Sequence, residues 1–475
     1  MKNTRKTKII ATLGPSCSTA KTIEEMMLSG VDVFRINFSH ANHSEIEKII
    51  STIRSLNRKN NYYTSILADL QGPKLRIGNV DEDVNIIKDD ILEFCSEKKF
   101  TGNNKRVYVK YKKFAKDVKI GEKLLIDDGK LIFEILETDN ECNVKARVIQ
   151  GGPLFSKKGI NLPNTKISLP ALTEKDFEDA VFSINQKVDW IALSFVRNGN
   201  DLNELKKIIQ EKSKHKIPLI SKIEKPEALE NIDEIIANSD GIMVARGDLG
   251  VEVSAAKVPL IQKQLVNKSK KARIPVIIAT QMMEGMIKSL TPTRAEVNDV
   301  ANSVMDGADA VMLSGETSVG KYPIKVVNEM SSILKTVENS PLIKVPQSPP
   351  SIRSKRYITK SICYHAANMA NEIDATAICT LTNSGYTAFQ ISAWRPKANI
   401  LVFTSNKLIL SQLNLLWGVK AFYYDKFEST DKTVEQVNNI ALKNNFVNKG
   451  DMLINLAAMP VKKKGMVNTL RISMI

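Results

Sequence analysis

The sequence predicts an α/β protein built on a (β/α)8 TIM barrel, with an inserted β-barrel-like domain and a C-terminal open α/β domain. Three observations predict this fold. Short apolar segments alternate with helical patterns through the first 343 residues, one interval changes to alternation of apolar and polar residues, and a Pro/Ser-rich segment precedes a second α/β pattern. Apolar segments that alternate with helices are typical of a parallel sheet covered on both faces.

Eight apolar segments supply the predicted barrel strands. Between them lie segments with apolar residues at helical spacing, such as "TAKTIEEMMLSG" and "NDLNELKKIIQEK". Thr293 and Glu296 have the spacing of a capping box that begins one of these helices. Eight strand–helix units suggest a closed barrel. The strand segments are residues 7–14, 31–39, 64–72, 189–197, 218–224, 240–248, 275–282 and 308–316.

One interval departs from this pattern. Between Gly72 and Leu169 apolar and polar residues alternate, as in "EKLLIDDGKLIFEIL", where Asp128-Gly129 is typical of a hairpin turn. The interval has about a hundred residues, which is the ordinary size of a small domain. The helical pattern resumes at "TEKDFEDAVFSINQ", so we predict a β domain inserted after the third barrel strand.

The C-terminal part follows residue 343, where "KVPQSPPS" has the composition of a linker. Beyond it, segments with helical spacing, such as "SICYHAANMANEI", alternate with apolar segments, such as "ATAICTLT" and "NILVFTS". This alternation predicts a second, smaller α/β domain with an open sheet.

Composition restricts the class of protein. Apolar residues make up 43% and charged residues 25% of the chain, as in soluble globular proteins. No apolar segment is long enough to span a membrane, and Gly14-Pro15 interrupts the apolar run that a signal peptide would need. The five cysteines are scattered and lack CxxC spacing, which predicts neither disulfides nor zinc and favours the cytoplasm.

The net charge of +16 raises the alternative of a nucleic-acid-binding protein. A basic segment with interleaved aromatic residues, residues 98–113, is the feature that would support this alternative. Lysine and arginine are nevertheless spread along the whole chain, and no helix-turn-helix, zinc-finger or RNP motif is present. A solvated, lysine-rich surface explains the charge better than an interface for nucleic acid.

Charged and polar residues recur at the predicted C-terminal ends of the barrel strands. In a barrel of this kind the loops at that end surround the active site. A charge on a buried strand is costly unless it is paired or ligated, so Arg246-Gly247-Asp248 is predicted to end the sixth strand rather than to form an adhesion loop. The strand-end residues are Arg35, Asn37, Ser39, Asp69, Lys222, Glu224, Arg246, Asp248, Thr280, Gln281, Ser314 and Glu316.

Two of these carboxylates suggest a metal site. Glu224 and Asp248 suit a hard divalent cation such as Mg²⁺, which keeps waters and takes further ligands from its substrate. Both also have a purely structural interpretation, since Glu224 could cap the helix that begins at Pro226 and Asp248 could cap the segment after it. His40 and His43 have HxxH spacing but lack a matching ligand pattern, so zinc is not predicted.

The basic residues suggest an anionic substrate. Arg35, Arg76 and Lys222 suit a phosphorylated or carboxylated anion. Residues 247–250, Gly-Asp-Leu-Gly, lead out of a strand and are expected to offer free backbone N–H groups to a carboxylate. A metal, basic residues and an anion pocket without a Cys–His or Ser–His pair fit phosphoryl transfer or enolate chemistry.

Seven segments resemble the motifs of the pyruvate kinase family and occur in the order typical of that family. The resemblance extends from Thr7 to the end of the chain and is weakest in the inserted domain and in the C-terminal part. Seven motifs in one order exclude a chance match. The segments are "FRINFSH", "DLQGPKLR", "SKIEKPEAL", "GIMVARGDLGVE", "ATQMMEGM", "PTRAEVNDVAN" and "DAVMLSGET".

The resemblance implies a glycolytic enzyme that transfers the phosphoryl group of phosphoenolpyruvate to ADP and forms ATP and pyruvate. It implies Mg²⁺ or Mn²⁺ as the cofactor, a cytoplasmic homotetramer, and no nucleic-acid or membrane partner. It also implies three domains: a catalytic barrel of residues 1–72 and 169–343, a mobile β lid of residues 73–168, and a regulatory α/β domain of residues 344–475.

Roles for individual residues follow from the same resemblance. Arg35 would contact the transferring phosphate, Glu224 and Asp248 would bind Mg²⁺, and Lys222 would stabilise charge on the phosphoryl group and on the enolate. Further implied groups are Gly247, Asp248 and Thr280 for the substrate carboxylate, Asn37, His40, Arg76 and Lys175 for the nucleotide, and Thr280 and Ser314 for the proton relay.

A phosphorylated effector is also implied. Thr382, Ser384, Gly385 and Thr387 follow a predicted strand and precede a predicted helix, where the family binds a phosphorylated activator. We therefore expect a sugar monophosphate or a nucleotide as effector. Ordinary turn and cap residues explain this segment equally well. The neighbouring "NLAAMPVKKKG" departs from the glycine-containing pattern of the family.

One departure from the family concerns potassium. Many members need K⁺, and there Asn37, Ser39, Asp69 and the carbonyl of Leu70 would be its ligands. This chain has Lys74 where those members have glutamate, so it resembles the branch in which a lysine ammonium replaces the cation. A fixed positive charge near Asp69 would do the electrostatic work of K⁺, so K⁺ is expected not to be required. Alternatively, Lys74 points into solvent at the hinge of the lid.

Another Mg²⁺-dependent barrel enzyme that acts on an enolate is a second functional hypothesis. The inserted β domain and the phosphate-related motifs argue against it. A coupled assay of ATP formation, with a salt titration of nucleic-acid binding beside it, separates both alternatives from the leading interpretation.

Overall fold

The computed structural model describes residues 5–39, 42–340, 349–352, 354–426, 428–459 and 465–475. Within these residues the chain forms a closed barrel of eight parallel strands, an inserted β domain and a C-terminal α/β domain. The predicted fold class is confirmed. Most of the predicted linker, residues 344–348 of 344–351, lies outside the described residues.

Three barrel strands and two helices precede the insertion. The first and third strands are buried along their whole length, as expected for parallel strands that pack on both faces. Thr19 and Asn42 cap the two helices by accepting hydrogen bonds from backbone N–H groups of the first turn. The elements are β1 (Lys8–Thr12), α1 (Ala20–Ser29), β2 (Val33–Asn37), α2 (His43–Asn60) and β3 (Ser65–Asp69).

The inserted domain contains a six-stranded mixed sheet and a separate two-stranded ladder. Its predicted hairpin is confirmed, since Asp127, Asp128 and Gly129 turn the chain with φ of 54°, 57° and 86°. Its elements are β4 (Asn85–Ile86), β5 (Ile91–Cys95), β6 (Arg106–Tyr108), α3 (Phe114–Asp117), β7 (Lys123–Ile126), β8 (Leu131–Thr138), β9 (Asn143–Gln150), β10 (Gly152–Pro153) and β11 (Ile160–Asn161).

The remaining five strands close the barrel in the order β1-β2-β3, then the fourth to eighth barrel strands, and back to β1. Capping boxes begin two helices, Thr173 with Asp176 and, as predicted, Thr293 with Glu296. The elements are α4 (Glu174–Asn185), β12 (Trp190–Leu193), α5 (Asp201–Lys212), β13 (Leu219–Ile223), α6 (Pro226–Glu230), α7 (Ile232–Asn238), β14 (Gly241–Ala245), α8 (Arg246–Glu252), α9 (Val258–Ala272), β15 (Val276–Ala279), α10 (Arg294–Asp306), β16 (Ala310–Leu313), α11 (Gly315–Ser318) and α12 (Pro323–Glu338), with 3₁₀ turns at Ala255–Lys257 and Glu284–Ile287.

The C-terminal domain is a five-stranded sheet with helices on its faces. Its strands lie in the order β19-β18-β17-β20-β21, and only the β20–β21 pair is antiparallel among the described strand pairs of this sheet. Its elements are α13 (Tyr357–Glu372), β17 (Ala377–Leu381), α14 (Tyr386–Ala393), β18 (Asn399–Thr404), α15 (Lys407–Gln412), β19 (Val419–Tyr423), α16 (Thr430–Lys443), β20 (Met452–Ala457) and β21 (Thr469–Met474), with a 3₁₀ turn at Leu413–Leu415.

The C-terminal domain covers the end of the barrel opposite the predicted mouth. Lys8 at the start of β1 is fully buried, and its ammonium donates a 2.9 Å hydrogen bond to the carbonyl of Val419. The Trp190 indole N–H donates to the carbonyl of Gln412 at 3.1 Å. Leu415 packs with the apolar side chains inside the barrel. The barrel interior is therefore sealed at this end by another domain rather than by barrel loops.

Two general properties bear on the predicted class. Among the described residues, no helix combines the length and the apolar character needed to cross a bilayer. The five cysteines are free, and burial raises the pKa of Cys17 to about 11 and that of Cys363 to about 12. These two thiols are therefore poor nucleophiles at neutral pH.

Candidate active site

Charged side chains from three strands meet at the C-terminal mouth of the barrel. The Nε of Arg35, in β2, donates to Oδ2 of Asp69, the last residue of β3, at 2.6 Å. The Nζ of Lys222, in β13, lies 3.3 Å from Oδ1 of the same aspartate. It also lies 3.0 Å from Oε1 of Glu224. The parallel strands bring these four residues together, as the sequence predicted.

Lys222 is a buried ammonium with three oxygen neighbours. Besides the two carboxylates, it donates a 2.7 Å hydrogen bond to the hydroxyl of Ser194. Burial disfavours the charge, but the attraction of Asp69 and Glu224 outweighs it and raises the pKa of Lys222. The side chain is therefore a permanently protonated cation at the mouth, suited to stabilising negative charge rather than to accepting a proton.

Asp69 is the carboxylate that lies between the two cations, Arg35 and Lys222. It is almost fully buried, which by itself would raise its pKa, but Lys222 and Arg35 lower the pKa of this carboxyl below its ordinary value. Arg35 is fixed further by a 3.1 Å hydrogen bond from Nη1 to the hydroxyl of Thr12. The guanidinium is thus oriented before any substrate arrives.

Glu224 is a buried carboxylate with an unused oxygen. Its Oε2 accepts the backbone N–H of Phe195 at 2.7 Å, whereas among the described residues Oε1 contacts the Lys222 ammonium and no further donor. Burial, together with the negative charge of Asp248, raises its pKa despite the opposing effect of Lys222. A second cation near Oε1 would relieve this unfavourable charge.

Asp248 lies in a helix rather than at the end of a strand, which corrects the prediction. Strand β14 ends at Ala245, and the Arg-Gly-Asp tripeptide begins helix α8. Asp248 is in the first turn, where a carboxylate interacts favourably with the helix dipole and the N–H groups lack intrahelical acceptors. The tripeptide is therefore not an exposed loop, so the adhesion interpretation is excluded.

Glu224 and Asp248 fit a divalent cation of the Mg²⁺ type. Oε1 of Glu224 is buried, and among the described residues its polar contact is the Lys222 ammonium; the Asp248 carboxylate is about a quarter exposed, at 23%. Among the described residues no group of three or more potential metal-ligating side chains occurs. Two hard oxygen donors, with other positions left to water and substrate phosphate, are the ligand set that Mg²⁺ takes at phosphoryl-transfer sites.

Thr280 adopts a strained backbone conformation next to helix α8. Its φ is +70°, which is unusual for a β-branched residue and marks a conformation enforced by its surroundings. Arg246 helps to enforce it, because Nη2 donates to the Thr280 carbonyl at 2.9 Å while Nη1 binds Asp299 at 2.6 Å. The Gly247 N–H, predicted to be free, donates to the Thr280 hydroxyl at 2.7 Å. That prediction was wrong because the left-handed turn of Thr280 brings its hydroxyl over the helix.

Ser314 and Glu316 lie at the end of the eighth barrel strand. The Ser314 N–H donates to Oε2 of Glu316 at 2.6 Å, and the Met283 N–H donates to Oε1 at 3.1 Å. The carboxylate therefore organises two loops of the mouth and does not face substrate. The hydroxyl of Ser314 is buried and has no hydrogen-bond partner within the described chain.

The residues predicted around potassium form part of the same mouth. The Ser39 N–H donates to Oδ1 of Asn37 at 3.1 Å. The carbonyl of Leu70 accepts the Ser194 hydroxyl at 2.6 Å. Lys74, expected near Asp69, instead places its Nζ 3.1 Å from Oδ1 of Asp248.

The residues predicted to bind nucleotide are more dispersed. Arg76 donates to the carbonyl of Lys157, within the inserted domain, at 3.0 Å. Lys175, at the start of α4, donates to the carbonyl of Phe38 at 2.8 Å and forms an ion pair with Asp179. His40 lies outside the described residues.

Thr382, Ser384 and Gly385 lie between β17 and α14, as the sequence indicated, whereas Thr387 lies in the first turn of α14, which corrects its predicted position. Gly385 has a φ of +79°, and its N–H donates to the Thr382 hydroxyl at 3.0 Å. Ser384 is exposed, whereas Thr387 is buried and faces the domain core. Most of the neighbouring lysine-rich loop, residues 460–464, lies outside the described residues.

Ser194 is the main residue that sequence reasoning missed. It follows β12, and its hydroxyl connects Lys222 with the carbonyl of Leu70. The predicted strand-end residues include none from the fourth barrel strand, where Ser194 is the polar residue of "LSFVR" next to the strand. Applying the strand-end rule to every strand, polar hydroxyls included, would have found it.

Comparison with known proteins places these features in one family. A model of the pyruvate kinase barrel domain matches residues 4–327, and a model of the pyruvate kinase alpha/beta domain matches residues 360–473. The chain is 40% identical to a pyruvate kinase of Corynebacterium glutamicum over 99% of this chain and 98% of that protein. It is 38% identical to one of Mycobacterium tuberculosis over 99% of each. A solved pyruvate kinase structure from Cryptosporidium parvum superposes with a TM-score of 0.91 at 33% identity, covering 99% of this chain and 96% of that one.

The two buried carboxylates of the mouth should respond oppositely to neutralisation. Asp69→Asn leaves Arg35 without its buried counter-charge and Lys222 with Glu224 alone, so we expect the free energy of unfolding to fall by about 3–5 kcal/mol. Glu224→Gln keeps the shape and the bond from Phe195 and removes a charge that burial disfavours. It should leave stability unchanged or raise it. Urea unfolding of both variants measures this, and an equal loss in the two would contradict the assignment of charges.

Proposed function

The chain belongs to the pyruvate kinase family, and we propose that it transfers the phosphoryl group of phosphoenolpyruvate to ADP at the cluster formed by Arg35, Lys222, Glu224 and Asp248. The observation that carries this site is the Lys222 ammonium, held 3.0 Å from a buried Glu224 oxygen that has no further donor among the described residues. A fixed cation beside a carboxylate with free coordinating capacity is suited to a phosphorylated substrate with a divalent metal.

Arg35 and Lys222 would bind the transferring phosphoryl group. Arg35 is already oriented by Asp69 and Thr12, so little side-chain freedom is lost on binding. The P–O bond to the enol oxygen of phosphoenolpyruvate breaks, a β-phosphate oxygen of ADP forms the new bond to phosphorus, and the bonding electron pair stays on the enolate. Lys222 would then stabilise the enolate oxygen.

Gly247, Asp248 and Thr280 would hold the substrate carboxylate. The N–H of Gly247 already donates to a hydroxyl oxygen, that of Thr280, so an oxygen acceptor fits this position. We infer that the substrate carboxylate takes this place and that the Thr280 hydroxyl turns to donate to it. Mg²⁺ or Mn²⁺, held by Glu224 and Asp248, would supply neutralisation of negative charge on the bound substrates.

Proton delivery to carbon 3 of the enolate completes the reaction. Thr280 and Ser314 are the residues that we propose for this relay. The Ser314 hydroxyl is buried and has no hydrogen-bond partner among the described residues, which supports this role because such a donor can orient towards a bound water or substrate. Carbon 3 gains the proton and the enolate becomes pyruvate.

The nucleotide would lie between the barrel and the inserted domain. Asn37, His40, Arg76 and Lys175 are proposed to contact ADP or ATP, with Arg76 reaching in from the inserted domain. The proposed domains stay as predicted: a barrel of residues 1–72 and 169–343, a lid of 73–168 and a regulatory domain of 344–475. We further propose a cytoplasmic homotetramer.

The segment with Thr382, Ser384, Gly385 and Thr387 is proposed to bind a phosphorylated effector. A left-handed glycine directly before α14 and an exposed serine hydroxyl support a phosphate cradle. Thr387 contributes less directly, because its side chain is buried.

Lys222→Met tests the catalytic assignment. The change leaves Asp69 and Glu224 with less compensating charge, so the free energy of unfolding should fall by a few kcal/mol, about as much as for Asp69→Asn. In protein that circular dichroism shows to be folded, phosphoenolpyruvate-dependent ATP formation should fall about a thousandfold. Lys216→Met, at the other end of β13 and exposed, is the control and should keep wild-type activity. Glu224→Gln and Asp248→Asn should first raise the Mg²⁺ concentration needed for half-maximal activity. A Lys222 variant with a tenth of wild-type turnover would refute this role.

Potassium independence is tested in buffer whose only monovalent cation is tetramethylammonium. We propose that the Lys74 ammonium beside Asp248 supplies the positive charge that K⁺ supplies elsewhere in the family. Wild-type activity should be nearly complete without K⁺. Lys74→Glu should lose about tenfold and recover partly with K⁺. Lys99→Glu, an exposed change of the same charge in the inserted domain, should do neither. An enzyme inactive until K⁺ is added would overturn the proposal.

Ser384→Asp tests the effector segment. A carboxylate in the cradle should repel phosphate, so activation by any sugar monophosphate or nucleotide that stimulates the wild type should disappear while basal activity stays. Ser332→Asp, on an exposed position of α12, is the matched control. Undiminished activation of the Ser384 variant by every active phosphate would show that the effector binds elsewhere.

A further inference from the structure

Helix α8, which carries Asp248, is contacted by the inserted domain and its connecting segment along its length. Lys74, on the segment that enters this domain, contacts Asp248 at 3.1 Å. The hairpin turn also approaches the helix, since a β-carbon at Gly129 would lie 3.8 Å from Cγ1 of Val251. Asn161, in β11, donates to Oε1 of Glu252 at 2.9 Å. Helix α8, which carries a proposed metal ligand, is therefore in direct contact with the inserted domain.

Glu252 is the most buried of these contacts. Its side chain has no exposed surface, and its Oε1 accepts both the Asn161 amide and the Lys225 ammonium, the latter at 2.7 Å. Its Oε2 accepts no hydrogen bond from the described residues. A buried carboxylate is costly unless donors compensate it. The loss of either donor is therefore expected to destabilise the C-terminal end of helix α8.

Lys225 links the same carboxylate to the other proposed metal ligand. It directly follows Glu224, and its side chain is only 10% exposed. Glu252 thus joins three parts of the molecule: the end of β13 with Glu224, helix α8 with Asp248, and the inserted domain through Asn161.

Asn161 belongs to the six-stranded sheet of the inserted domain. It is paired with Leu125 in the ladder between β11 and β7, which belongs to the six-stranded sheet. The side-chain amide oxygen of Asn161, Oδ1, is buried and accepts no hydrogen bond from the described residues. Movement of the proposed lid away from the barrel would take the Asn161 amide from Glu252 and open the carboxylate to water.

We propose that Glu252 is a positioning residue that couples closure of the inserted domain to the placement of Glu224 and Asp248 for the divalent cation. The inference rests on the proposed function, because the cation and its two ligands belong to that function. Glu252 itself touches no substrate. With the lid closed, Asn161 and Lys225 fix the carboxylate, and the end of β13 and helix α8 are held in one arrangement.

Asn161→Asp is the sharpest test, since it replaces a donor by a carboxylate that faces Glu252 with almost no change in size. Like charges should keep the lid from closing. We expect weaker binding of Mn²⁺ to the substrate-free protein, measured by electron paramagnetic resonance, by about tenfold. The Mg²⁺ concentration for half-maximal activity should rise in parallel, with a smaller change in kcat at saturating Mg²⁺.

The double variant Asn161→Asp with Glu252→Gln provides the rescue. The neutral amide removes the repulsion and donates to the new carboxylate, so Mn²⁺ affinity should return most of the way to the wild-type value. A purely structural defect in the lid would not be repaired by a change in the barrel. Asn103→Asp, the same substitution at an exposed turn of the inserted domain, is the control and should behave like the wild type.

The outcomes separate this inference from the proposed function. A wild-type protein without phosphoenolpyruvate-dependent ATP formation refutes the function, whatever the variants do. A fully active wild type whose Asn161→Asp variant binds Mn²⁺ like Asn103→Asp refutes the coupling alone. Weakened binding that the Glu252→Gln change fails to rescue also refutes it, because repulsion at Glu252 was then not the cause.

Discussion

The buried ion cluster around Lys222 is the interaction on which the mouth of the barrel depends. One ammonium lies between Asp69 and Glu224, and Asp69 also holds Arg35. Burying four charges is expensive, and only rigid parallel strands keep them close enough to compensate one another. The two carboxylates are not equivalent, because Asp69 has a lowered pKa and Glu224 a raised one. The charge of Asp69 is compensated by Lys222 and Arg35. The charge of Glu224 is unfavourable, and a bound cation would compensate it.

Hydrogen bonds around this cluster fix the neighbouring loop and helix α8. Arg246 fixes the left-handed turn at Thr280, and the Thr280 hydroxyl in turn receives the Gly247 N–H. Helix α8 is therefore held from the barrel side at its beginning. It is held from the inserted domain at its end, through Glu252. This seven-residue helix is therefore bonded to the barrel at its beginning and to the inserted domain at its end.

The barrel was predictable because its strands are buried on both faces and therefore leave uninterrupted apolar segments in the sequence. Local signals such as the Thr293 capping box and the Asp128-Gly129 turn were equally reliable, since each depends on neighbouring residues. The helical position of Asp248 was not predictable in this way, because two glycines within five residues argue against a helix. The partners of Gly247 and Lys74 are set by contacts over 33 and 174 residues of sequence separation, which no local pattern encodes.

The pairing of β1 with β16 has a consequence for biosynthesis. The first barrel strand finds one of its two neighbours only at residues 310–313, and Lys8 finds its acceptor only at Val419. At ribosomal rates of roughly 5–20 residues per second, synthesis of the residues between β1 and β16 takes on the order of 15–60 seconds, and this edge of β1 stays unpaired during that time. The strands β4 to β11 pair only with one another, so the inserted domain is complete long before. The nascent chain therefore carries a finished domain on an open, apolar sheet edge, which is the state that chaperones bind.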